Sequence, residues 1–125
     1  MQRIQQYITL INQELADIPY NKEPKELYLP IKYSLELGGK RLRPALLLLA
    51  NDLFGGKPEN AINAALAIEI FHNFTLVHDD IMDHADSRRG RATVHKKWDN
   101  NVAILVGDEL VALAYRELLK TKSPA

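Results

Sequence analysis

The stretch LVHDDIMDHADSRRG, residues 76–90, holds four aspartates within eight positions, Asp79, Asp80, Asp83 and Asp86, and then sets Arg88 beside Arg89. Asp79 and Asp83 are four residues apart, so on a helix they share one face about one turn from each other. Asp80 lies about 100° further round the same axis. Like charges at that spacing destabilise a helix, and a helix C-terminus has the wrong dipole for anions, so a cation is expected among them. Carboxylate oxygens without thiolate suit a hard ion: Mg²⁺ takes one or two carboxylates and completes its shell with water and phosphate oxygens. The plainer reading is a solvated helix end, with aspartates forming turns and arginines as counter-charges.

Arg88, Arg89 and Arg91 follow at once, and arginine grips phosphate through two parallel hydrogen bonds. A second basic cluster, GGKRLRP at 38–44, carries Lys40, Arg41 and Arg43 where a helix begins, and free backbone N–H groups there favour anions. A glycine cap followed by solvated basic residues is the alternative. Together the clusters suggest two phosphate-bearing ligands meeting around Mg²⁺, with the aspartates and arginines facing those ligands rather than each other. His72, seven residues before Asp79, returns to within about 20° of the same face and roughly 10 Å down the axis. A lone histidine among apolar neighbours is as readily a core residue. His78 is rotated from that face and reads as structural.

Helices must position these groups. Ile4, Ile8, Ile11 and Leu15 form one amphipathic stripe ending before Pro19, and a second stretch, Leu27 to Leu37, is stopped by Gly38-Gly39. A third opens at Pro44, suited to a first turn, runs to Gly55-Gly56 and reads as buried. The longest pattern, from about Glu59 to about His84, has no proline or glycine inside. The segment SRRGRATVHKKWDN is a loop with room for one short helical turn, and NVAILVGDELVALAYRELLK makes the last helix. No strand with its own turn signals and no internal repeat is expected. The class is all-α.

The chain has 125 residues, 46 % apolar and 26 % charged, which fits one globular domain or part of one. Sixteen basic side chains balance sixteen acidic ones, so no global field recruits nucleic acid or an anionic membrane surface. With no cysteine there is no disulfide frame, thiolate nucleophile or cysteine-bound zinc, which fits a cytoplasmic location. The start lacks a basic region followed by an apolar block, and no apolar run approaches the roughly 20 residues of a membrane span.

GGKRLRP at 38–44, EIFHNFTLVHDDIMD at 69–83 with its DDxxD, RRG at 88–90 and NVAILVGDELVALA at 101–114 together resemble the trans-prenyltransferases, the polyprenyl diphosphate synthases that include farnesyl and geranylgeranyl diphosphate synthase. The resemblance covers nearly the whole chain in order. It implies an isoprenoid synthase-type antiparallel helical bundle, of which residues 1–125 are the N-terminal part of a single domain. It implies that Asp79 and Asp83 hold Mg²⁺ on the diphosphate of an allylic prenyl diphosphate, with Asp80 supporting them and Arg88 on that diphosphate. Lys40, Arg43, His72 and Arg89 would hold isopentenyl diphosphate. By the same resemblance, Phe74 and Thr75 line the floor of the product cavity and fit a C15 to C20 product, and the last helix supports a homodimer.

The family's second aspartate-rich motif is not among these residues, so little or no synthase activity is expected of the chain alone. Three other readings stand beside it: a regulatory or binding subunit on the same scaffold, a metal phosphohydrolase suggested by His78-Asp79, and a purely structural helical module. The phosphohydrolase needs a second histidine on another helix, and His72 shares a helix with His78.

Overall fold

Helical periodicity is realised in six helices among the described residues, α1 (Gln2–Asp17), α2 (Lys25–Glu36), α3 (Leu42–Leu53), α4 (Pro58–Met82), α5 (Val94–Lys97) and α6 (Asn100–Leu119). The structure is a computed structural model and describes residues 2–20, 22 and 24–121. The all-α expectation holds, with α5 as the short turn in the loop. One correction is a two-stranded ribbon: β1 (Ser87–Arg88) pairs antiparallel with β2 (Arg91–Ala92), Ser87 opposite Ala92 and Arg88 opposite Arg91. Two residues per strand are too few to show the alternation by which a strand is read.

The chain divides into two compact units. The first contains residues 1–18, 40–69 and 113–125. In it the inward row of α1 is Tyr7, Ile11 and Leu15, at spacings of four, with Ile4 and Ile8 only half-buried. α3 begins at Leu42 rather than Pro44, and only Pro44, Ala45 and Leu48 of it are buried. Leu42, Leu46 and Leu53 are exposed, so the expectation of a buried third helix is corrected to one inward stripe. Ala61, Ala65, Leu66 and Ala67, from the first half of α4, and Leu113 and Ala114 of α6 are buried in the same unit.

The second unit contains residues 19–39 and 70–112. α2 tolerates Pro30 inside it, fully buried, and its Ile31 and Leu35 form an i, i+4 row in the core. Ile70 and Val77 of α4 and Ala103, Val106 and Leu110 of α6 are buried with them. Phe71, which the periodicity groups with the apolar face of α4, is 46 % exposed. Gly107 lets α6 approach α4: a Cβ there would stand 2.1 Å from His78 Nε2.

Candidate functional site

The acidic cluster is built by the way α4 ends. The amide of Ala85 donates to Asp80 O at 2.9 Å and that of His84 to Ile81 O at 3.2 Å, the two bonds of a Schellman cap. His84 supplies the left-handed residue such a cap requires, with φ 52°. α4 therefore stops at Met82, short of the expected end near His84. Asp83 falls in the turn, yet its amide still donates to Asp79 O at 2.8 Å, which keeps Asp79 and Asp83 one turn apart as expected.

Asp79 and Asp83 are exposed, whereas Asp80 is 7 % exposed. Arg88 donates Nε to Asp80 Oδ2 at 2.9 Å and Nη2 to Oδ1 at 2.8 Å. That bidentate bond raises the pKa of the guanidinium further, against the opposing effect of burial, and the charges of Asp80 and Asp79 add to it. This corrects the expectation that aspartates and arginines face only external ligands: buried Asp80 needs a cation, and Arg88 is the one that reaches it. Among the described residues Asp79 and Asp83 make no side-chain hydrogen bond or ion pair, and Asp79 acts on Arg88 only through space.

Arg88 is placed by the ribbon. Arg89 and Gly90 form its two-residue turn, both with positive φ, 53° and 76°, as a type I′ turn requires. Tyr33 holds the ribbon from α2. Its hydroxyl donates to Ala92 O at 2.7 Å, its ring carries the Arg91 guanidinium at 4.7 Å and the Lys97 ammonium at 4.8 Å, and Trp98 packs edge-on at 5.1 Å. Thr93, fully buried, donates its hydroxyl to Ala85 O at 2.9 Å, tying the far side of the ribbon to the cap of α4. The Tyr33 cluster is a feature that sequence reasoning missed, because the partners are 58 or more residues apart and carry no shared motif.

His72 is half-buried, and its carbonyl accepts the Thr75 hydroxyl at 2.6 Å. Phe74 packs against Phe71 at 5.2 Å and edge-on to His78 at 4.8 Å. His78 lies 3.3 Å from Ile104 O through Nε2, which supports its structural reading.

Lys40 and Arg43 belong to the first unit, where both are exposed. Between them Arg41 is buried, a second feature missed from the sequence. Its Nη1 donates to Glu69 Oε2 at 2.6 Å and its Nε to Asn12 Oδ1 at 3.0 Å. The available signal was Glu69, a carboxylate within the apolar pattern of α4 that burial would oblige to find a partner.

Among the described residues no three His, Asp or Glu side chains converge as a metal site. The donor set on offer is two exposed carboxylates one turn apart. That fits Mg²⁺, which takes one or two protein carboxylates and leaves its other positions to water and phosphate oxygens.

The family model described as Polyprenyl synthetase matches residues 24–125. A geranylgeranyl diphosphate synthase of Methanosarcina mazei is 49 % identical over 80 % of this chain, which covers 31 % of that protein. A farnesyl diphosphate synthase of Micrococcus luteus is 40 % identical over 93 % of this chain and 40 % of its own length. The solved geranylgeranyl pyrophosphate synthetase of Geoglobus acetivorans superposes with a TM-score of 0.92 and 44 % identity over 97 % of this chain, which covers 40 % of that one. The chain thus spans less than half the length of these relatives.

Proposed function

The chain belongs to the polyprenyl synthetase family, and on that footing we propose that it is the N-terminal part of a Mg²⁺-dependent prenyl-elongating synthase. The reaction is head-to-tail condensation of an allylic prenyl diphosphate with isopentenyl diphosphate. The observation that carries this reading is the end of α4, where two exposed carboxylates, with no side-chain hydrogen bond or ion pair among the described residues, stand one turn apart beside a third that already holds Arg88.

In this proposal Asp79 and Asp83 hold Mg²⁺ on the allylic diphosphate. When bound, the ion would supply charge neutralisation for a departing diphosphate. Arg88 uses two of its N–H groups on Asp80, and its remaining donors are directed to the same diphosphate. Lys40, Arg43, His72 and Arg89 hold the diphosphate of isopentenyl diphosphate, whose double bond attacks the allylic cation before a proton is lost. No protein nucleophile takes part. Phe71 and Phe74 offer an apolar wall that excludes water from the cation, and Phe74 with Thr75 limits the product to C15 to C20. The two relatives above bear the names of geranylgeranyl and farnesyl synthases, which supports that range.

A homodimer through α6 belongs to the same proposal, supported by exposed Ile104, Leu105, Tyr115 and Leu118 on that helix. No helix among the described residues is long and apolar enough to cross a membrane; a cytoplasmic location is proposed from the absence of cysteine.

Calorimetric titration of inorganic pyrophosphate into the protein tests the metal site. One binding event should need Mg²⁺, and that event should be lost in Asp79→Asn/Asp83→Asn. Absence of any Mg²⁺-dependent binding, or its survival in the double substitution, would overturn the assignment.

A further inference from the structure

Arg41 combines two costs at one residue. It is a non-glycine residue at φ 55°, ψ 28°, the left-handed region, which is unfavourable for a side chain with a Cβ. It is also a buried charge, 5 % exposed, paired with Glu69 at 3 %. A buried ion pair is weak ground for stability, because apolar residues of similar volume do as well or better once desolvation is counted. Strained backbone of this kind persists where its surroundings over-determine it, and it clusters at functional sites.

The surroundings are two helices of the same unit. Asn12 on α1 takes Nε and Glu69 on α4 takes Nη1. A planar guanidinium held at two edges by separate elements fixes direction as well as distance. Arg41 is the N-cap residue of α3 and leaves its own helix without a side-chain cap. Its side chain is turned wholly inward, while Lys40 before it and Arg43 after it are exposed. Arg41 cannot itself meet a ligand, since its charge is neutralised and only 4 % of its side chain is exposed.

We propose that Arg41, through Glu69 and Asn12, is a positioning residue that sets the backbone from which Lys40 and Arg43 reach a diphosphate. This rests on the reading of those two residues as diphosphate ligands, and the test separates the two claims.

Inorganic pyrophosphate binding to the protein is measured by calorimetry without Mg²⁺, so that the site of Lys40 and Arg43 is read, and well below the unfolding midpoint of each variant. Lys40→Ala/Arg43→Ala should weaken binding at least tenfold. If binding is unchanged there, or if the unsubstituted protein does not bind pyrophosphate, the ligand reading fails and the inference with it. Arg41→Met/Glu69→Leu removes both buried charges together, so the fold survives, and it should still weaken binding by about tenfold, as loss of one well-aimed charged hydrogen bond does. Asn12→Leu, which leaves the ion pair, should weaken it less. A merely structural Arg41 would leave the affinity of the folded protein unchanged, whatever happens to the midpoint. That result, with binding lost in Lys40→Ala/Arg43→Ala, would overturn the positioning role alone.

Discussion

Arg88 and Asp80 are joined by two parallel hydrogen bonds of 2.9 and 2.8 Å across the end of α4. The guanidinium side chain is 32 % exposed and the carboxylate 10 %, so the pair is partly shielded from solvent. A double-mutant cycle with Asp80→Asn and Arg88→Met, followed by urea unfolding, should give a coupling of about 1–2 kcal/mol, above that of an ordinary surface pair. The pH dependence has a definite sign. Arg88 has a raised pKa in the folded protein, so its contribution is fully present below the ordinary guanidinium value and is lost only as pH rises through the higher folded one. The coupling should therefore be equal at pH 7 and pH 9, and a fall between them would contradict the assignment.

Gly107 is expected to be intolerant of any side chain. A methyl group there would stand 2.1 Å from His78 Nε2 and 2.4 Å from its Cδ2, and His78 is held by Phe74 and Ile104. Gly107→Ala should lower stability by about 1–3 kcal/mol through overpacking. Adding His78→Ala should return at least half of that loss, as read by thermal unfolding.

At the ribbon tip, Arg89 occupies a left-handed position that asparagine fills at lower cost. Arg89→Asn should raise stability by about 0.5–1 kcal/mol while weakening pyrophosphate binding. A gain in stability with affinity intact would remove Arg89 from the ligand set.

Phe74 offers a test of product length in the complete synthase. Phe74→Ala removes a ring packed between Phe71 and His78. Chromatography of the dephosphorylated products should show chains at least one isoprene unit longer, and an unchanged product would leave Phe74 as core packing.

The helices were legible in the sequence because their apolar residues recur at the helical period, and Asp79 and Asp83 were placed on one face by spacing alone. The ribbon was not, since Ser87 to Ala92 is charged and its pairing is only two residues long. Nor was the fate of Asp80: spacing says which way a carboxylate points on a helix, but not that a turn eight residues later will bring Arg88 back to it. Arg41 was read with its basic neighbours, because composition cannot show that one of three adjacent cations is buried. That distinction depends on a left-handed dihedral and on Glu69, 28 residues away.

The cap of α4 also has an entropic meaning. The bonds from Ala85 to Asp80 and from His84 to Ile81, with the one from Asp83 to Asp79, fix the backbone under both exposed carboxylates before any ion arrives. A cation bound there would have to order only two short side chains, each with few rotamers, rather than a loop at about 1–2 kcal/mol per residue. A site of that kind would be preorganised by the hydrogen bonds that end the helix, and the same few amides that stop α4 would set the conformational entropy lost on binding.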